Sequence, residues 1–158
     1  MDMRSLIWVI ACAACGSPAN VAGDYTVALT NHDNGCNLGN WTVGNMLTNV
    51  DVTITQSGDK LTATVGGLAG AALDVGLGGH VYNGHVDGTD VDLDLFGTRS
   101  MNSGNCTFTY NSTIIGSLSV DTLSGEIHYT AATNGNPDCA TLQGCLSVQS
   151  FNGVRPPL

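Results

Sequence analysis

Apolar and polar residues alternate with a period of two along most of this chain, which is the signature of half-buried β-strands. In Asp24–Thr30, Tyr25, Val27 and Leu29 face one way and Thr26 and Thr30 the other. Val50–Gln56 repeats the pattern, with Val50, Val52 and Ile54 against Asp51, Thr53 and Thr55. Ser57-Gly58-Asp59 reads as a tight turn into a strand carrying Leu61, Ala63 and Val65, so these two form a hairpin. His80–Val86 and Val91–Phe96 flank a turn at Asp87-Gly88, and Cys106–Val120, bent near Gly116, precedes Leu123–Ala131 across Asp121-Thr122. Leu146–Asn152 closes the series. Gly66–Gly79 (GGLAGAALDVGLGG) is small and apolar, and its pattern fits a short helix or an extra strand equally.

This predicts an all-β fold of about eight antiparallel strands in an up-and-down meander barrel. The connections alternate in length, and alternate connections of a meander lie at the same end. The long loops Asn31–Gly44 and Ala132–Gly144 therefore share one rim with the medium connections Gly66–Gly79 and Thr98–Asn105, and the tight turns share the other. The expected inward set is Tyr25, Val27, Leu29, Val52, Ile54, Leu61, Val65, Leu93, Leu95, Phe108, Tyr110, Ile114, Ile127, Tyr129, Leu146 and Val148. A barrel of this size either fills itself with side chains or holds one small ligand. The mid-sized inward residues lean towards a filled core.

The N-terminus adds a compartment. Met1–Arg4 carries one basic residue, and Leu6–Ala14 is an apolar run followed by Cys15-Gly16-Ser17-Pro18. This is the build of a secretory signal peptide, and it falls short of the roughly 20 apolar residues of a membrane span. Ala13-Ala14-Cys15-Gly16-Ser17 resembles the lipobox of bacterial lipoproteins, with Cys12 standing where Leu is usual. The resemblance implies cleavage before Cys15, lipidation of that Cys and attachment to a membrane. Val9-Ile10-Ala11-Cys12 fits the same pattern but leaves a shorter apolar run. Gly16 after the Cys, in place of Asp, implies the outer membrane by the same resemblance; plain secretion is the alternative. The organisation expected is a signal peptide over 1–14, a lipidated Cys and tether over 15–23, and a β-barrel over 24–155. Cys12-Ala13-Ala14-Cys15 as a redox pair is disfavoured, because it lies in an apolar leader and not beside a βαβ unit.

Four further cysteines, Cys36, Cys106, Cys139 and Cys145, lie in or beside the long-loop rim. An even number in an exported chain implies two disulfides. Cys139–Cys145 within one loop, with Cys36–Cys106 across the mouth, is one solution. Cys36 with Cys139 or Cys145 stays open, because first and last strands touch when a barrel closes.

Thirteen acidic and four basic residues give a net charge of −9. With only Lys60, Arg99 and Arg155 beyond the leader, nucleic acid is disfavoured as a partner, since its binding rests on Lys and Arg. Asp90, Asp92 and Asp94 share one face of a straight strand, which reads as a solvated outer face more readily than as a Ca²⁺ site. His32, His80, His85 and His128 show no metal-ligand spacing, so neither metal nor cofactor is expected. No nucleophile elbow, zinc-helix or phosphate-loop motif occurs, so the expectation is a non-catalytic protein. Asn40-Trp41-Thr42 and Asn111-Ser112-Thr113 match the glycosylation sequon and are chance matches in a bacterial lipoprotein.

Gly23-Asp24-Tyr25 at the first strand, with Arg155 just after the last, resembles the calycin architecture of lipocalins and avidins. There a Trp opens strand one and a late Arg packs over it; here Tyr25 takes the Trp position. The resemblance implies a ligand-holding barrel at the level of fold only. Trp41, Tyr25, Phe108, Tyr110 and Tyr129 are the candidate contacts for a small apolar ligand, with a partner at the rim as the other use; Trp41 on its loop equally fits a plug folded into the barrel. The alternative is a structural or interaction module with a filled barrel and no ligand.

Overall fold

A computed structural model describes residues 17–157 of the chain. The predicted leader 1–14, and the lipidation candidates Cys12 and Cys15, lie outside the described residues. The elements in order are β1 (Gly23–Asn34), β2 (Met46–Ser57), β3 (Lys60–Val65), α1 (Gly67–Gly76), β4 (Val81–Asp87), β5 (Asp90–Leu95), β6 (Met101–Ser103), β7 (Cys106–Ser119), β8 (Thr122–Thr133), a 3₁₀ turn (Pro137–Cys139) and β9 (Ser147–Val154).

All consecutive strands except β5 and β6 pair antiparallel, β9 returns to β1, and β5 skips β6 to pair with β7. The result is the expected closed eight-stranded meander barrel, lipocalin-like in form. The short β6 is additional. It forms a hairpin with the start of β7, Met101 opposite Phe108, inside what reads as a polar loop. Gly66–Gly79 resolves as the helix α1 leading into β4. Its end is capped by Gly78 at φ +89°, whose N–H reaches back to Leu73 and Asp74. That left-handed cap is what glycine after a helix provides.

The two rims segregate as the connector rhythm predicts. The tight-turn rim holds three two-residue turns, between Ser57 and Lys60, Asp87 and Asp90, and Ser119 and Thr122. The first residue of each has positive φ: Gly58 +66°, Gly88 +58° and Val120 +57°. Such turns match the twist of the flanking strands, and glycine is the usual occupant. Val120 is the exception.

Strand faces follow the alternation, with one correction. Val91, Leu93 and Leu95 are buried while Asp90 and Asp92 are exposed. On β9, however, the inner face carries Ser147, Gln149, Phe151 and Gly153, so Leu146 (43% exposed) and Val148 do not belong to the inward set. The phase slipped because two polar residues point inward. Both are satisfied there: Ser147 Oγ donates to Asn34 Oδ1 (2.9 Å) and Gln149 Nε2 to Asn31 Oδ1 (2.6 Å).

The disulfides join Cys36 to Cys145 and Cys106 to Cys139, which is the alternative that barrel closure leaves open and not Cys139–Cys145 with Cys36–Cys106. The β1–β9 ladder dictates the first. Asn34 lies opposite Ser147, Gly35 N–H donates to the Leu146 carbonyl, and two residues on from Asn34 Cys36 faces Cys145 at a Cα separation of 4.8 Å. The second follows from β7–β8. The chain leaving β8 turns through the 3₁₀ segment and lays Cys139 beside Cys106, with Asp138 accepting from the Asn105 N–H. Two disulfides fit an oxidising compartment outside the cytoplasm.

At the tight-turn end, Arg155 is 5% exposed and lies over the Tyr25 ring at 5.7 Å from its centroid. It donates to the Ala22 carbonyl (2.7 Å) and to Asp121 (3.3 Å). An arginine that follows the last strand thus covers the aromatic ring that opens the first.

A candidate ligand cavity inside the barrel

The barrel is not completely filled. An apolar cavity of about 240 Å³ runs from Tyr25, Leu123 and Gly153 at the Arg155 end towards α1 at the other. Val27, Val50, Ile54, Ala63, Leu93, Ile127 and Phe151 make most of its wall. Two features open it. A bulge on β2, with Asn49 at φ +59°, shifts the β1–β2 register so that Leu47 lies opposite Leu29 and joins the lining. β3 pairs with β2 only from Val52 outward, so residues 46–51 have no β3 partner. α1 takes that place, anchored by Gly66 N–H to the Asp51 carbonyl (2.7 Å), and contributes Ala69, Ala72 and Leu73. Leu47 and Ala72 line the cavity yet are exposed, and a surface depression shares Leu47, Val50, Ala69 and Ala72 with it. The mouth is thus the seam between β2 and α1.

Four polar side chains interrupt the apolar wall: Tyr25, whose hydroxyl donates to the Val21 carbonyl, Tyr82, Tyr129 and Gln149. Tyr82 donates across the interior to Ser112 Oγ (3.0 Å), and Tyr129 donates to Gln149 Oε1 (2.8 Å). Burial pushes the Tyr82 phenol up to about 12, with the Ser112 hydrogen bond opposing. Burial pushes Tyr129 up further, and Tyr82 adds to that shift. Both phenols stay neutral at physiological pH. No carboxylate, amine or imidazole lines the cavity, so its chemistry is that of a neutral site with a few hydrogen-bonding groups on one side.

Of the residues singled out from sequence, Tyr25 and Tyr129 line this cavity, whereas Trp41, Phe108 and Tyr110 do not. Trp41 folds back over the rim. Its ring meets Tyr129 edge-on at 5.9 Å and its Nε1–H donates to the His32 carbonyl (2.9 Å). Phe108 packs edge-on to Tyr110 at 5.4 Å, and the Tyr110 hydroxyl donates to the Cys36 carbonyl. These three brace the disulfide rim. Tyr82 and Gln149 are not among the sequence candidates: the inward phase of β4 signals the first, and nothing in the sequence signals a glutamine turned inward.

The histidines lie apart from the cavity. His80 pairs with Asp74 (2.7 Å), His128 with Glu126 (2.8 Å), and His32 Nε2 meets Ser150 Oγ (2.8 Å). His85 and Asp92 face each other across the outer β4–β5 ladder. Among the described residues no three His, Cys, Asp or Glu side chains are grouped to hold a metal ion. No helix of the described residues is long and apolar enough to cross a membrane, and the outward strand faces carry Asp, Thr, Ser and Glu, unlike the apolar band of a membrane barrel. No protein-family model, curated protein or solved structure matches the chain.

Proposed function

We propose that the protein is a lipid-anchored lipoprotein of the cell envelope, placed at the outer membrane, whose barrel binds one small neutral apolar molecule without chemically altering it. The observation that carries this reading is the apolar cavity with its mouth between β2 and α1. A 150 Å³ apolar cavity accommodates benzene, or about 25 Å³ per heavy atom, so 240 Å³ corresponds to a ligand of about ten heavy atoms. This is smaller than the ~300 Å³ at which drug-sized sites begin. An indole-sized ring system or an eight- to ten-carbon chain is the right scale. Tyr82, Tyr129 and Gln149 favour a ligand with a single uncharged polar group, such as an alcohol or an amide. The neutral lining supports a binding role over a catalytic one, since acid–base work needs a titratable group aimed at the substrate. Anchoring rests on the Cys15 lipobox, and the two disulfides agree with export.

A second reading has its own support. Leu68 (91% exposed), Phe96 (72%) and Met46 (61%) leave apolar side chains bare at the long-loop end, as a protein-binding rim would. Mass spectrometry of compounds released by denaturing the purified full chain separates the two. A stoichiometric neutral compound of about ten heavy atoms supports the ligand reading. An empty barrel that nonetheless captures an envelope protein, with capture lost in Leu68→Ser/Phe96→Ser, supports the other.

A further inference from the structure

The tether is bolted to the barrel almost as soon as it leaves Cys15. Ala19 N–H donates to the Gly88 carbonyl (2.7 Å), and Gln56 clasps the chain from the side. Its Nε2 donates to the Ala19 carbonyl (2.9 Å) and its Oε1 accepts from Val21 N–H (2.7 Å). Val21 is fully buried, and the Tyr25 hydroxyl donates to its carbonyl. Only Gly16, Ser17 and Pro18 separate Cys15 from Ala19. Fully extended, that stretch reaches about 14 Å. The barrel wall is about twice as tall: 12-residue strands such as β1, tilted as barrels require, rise roughly 30 Å. All the bolting contacts are at the tight-turn rim.

We infer that the barrel stands on its tight-turn rim against the bilayer that holds Cys15, with Val120 touching the lipid and the long-loop rim and cavity mouth pointing away. This rests on the Cys15 lipidation proposed above. A 14 Å leash at that rim does not allow the far rim to reach the same membrane. The Val120 turn supplies an independent reason. Val120 is 84% exposed and held at φ +57°, where the two neighbouring turns use glycine. A β-branched residue there costs about 1–2 kcal/mol. Contact with the lipid interface gives an exposed apolar side chain in that position a use. Charge does not separate the rim from the wall nearest Ala19, since Asp59, Asp87 and Asp90 stand at the rim and Asp92 and Asp94 on the wall; the bare Val120 is what favours the rim. At the rim itself Asp121 is paired with Arg155. Ligand would accordingly enter from the aqueous side and not from the anchoring leaflet.

The test uses the full chain, lipidated in a bacterial host and reconstituted in phosphatidylethanolamine–phosphatidylglycerol vesicles carrying brominated acyl chains. Trp8 precedes Cys15 and leaves with the leader, so Trp41 is the mouth-side reporter. Val120→Trp, or Thr89→Trp on the adjacent turn should the first fail to fold, reports the base in a Trp41→Phe background. The expected result is strong quenching at position 120 or 89 and none at Trp41. Quenching of Trp41, or equal quenching at both ends, overturns the orientation. A linker of about twenty Gly/Ser residues between Gly16 and Ser17, with a reach of about 25 Å, should abolish the difference. If the difference survives, the short tether is not what orients the barrel and the inference fails. Intact-mass measurement reads the anchor separately: an unmodified Cys15 refutes lipidation, and the orientation with it.

Discussion

Removing the Cys36–Cys145 bond, as Cys36→Ala/Cys145→Ala, should destabilise the domain more than removing Cys106–Cys139. The bridges span 109 and 33 residues, and the shorter is nested within the longer. In the unfolded chain the inner cross-link short-circuits part of the outer loop, leaving roughly 76 residues free to spread when the outer bond is cut. Loop-closure entropy then assigns about 4.5 kcal/mol to the outer bond and about 3.7 kcal/mol to the inner. For about 140 residues, these correspond to melting-temperature losses of about 15 °C and about 12 °C. The outer bond also fixes the point where the barrel closes, because Cys36 and Cys145 continue the β1–β9 ladder. Urea unfolding of both double variants, with secreted wild type as reference, gives the two free energies directly. A larger loss from the inner pair, or a non-reducing peptide map joining Cys139 to Cys145, would refute both the pairing and the closure argument.

Val120→Gly should stabilise the isolated domain by about 1 kcal/mol in urea melts, because it relieves the left-handed strain at an exposed position. Arg155→Ala should cost about 2 kcal/mol by the same measurement, through loss of the charged hydrogen bonds to Ala22 and Asp121 and of the cover over Tyr25. Above pH 10 stability should fall. An unfolded phenol ionises near 10 while buried Tyr82 holds its proton to about 12, so the unfolded state gains as pH rises through that window. Denaturant midpoints at pH 9 and pH 11 should drop less in Tyr82→Phe than in wild type; an equal drop contradicts the burial argument.

The barrel was legible because period-two alternation survives wherever one strand face meets the core and the other meets water, as in Asp90–Leu95. The connector lengths revealed the two rims for the same reason. What escaped was set by closure and not by local sequence. Sequence leaves Cys36–Cys145 as one of several pairings, and only the closure of β1 onto β9 selects it. Leu146 and Val148 outscored Ser147 and Gln149 as inward residues because alternation assumes that polar side chains face water. Here Asn31, Asn34 and Tyr129 supply partners from across the barrel. α1 was ambiguous because Gly67–Gly76 is small and apolar throughout, and its helical state follows from the gap it fills beside β2. The cavity depends on the Asn49 bulge and on the offset between β2 and β3, neither of which has a composition signal. From its loop position Trp41 reads as an exposed contact or as a plug, and the Tyr129 ring and the His32 carbonyl hold it down as the second.

The central claim is that the barrel interior accepts a small neutral molecule, and methyl-labelled NMR during titration with indole and with 1-octanol tests it most directly. Ile54, Ile114 and Ile127 line the cavity, while Leu68 and Ile115 are exposed elsewhere. The account predicts saturable shifts at the three cavity isoleucines, with Leu68 and Ile115 unmoved, and loss of those shifts in the cavity-filling variant Ala63→Ile. Shifts confined to Leu68 and Ile115, or no saturable shift at all, would contradict it.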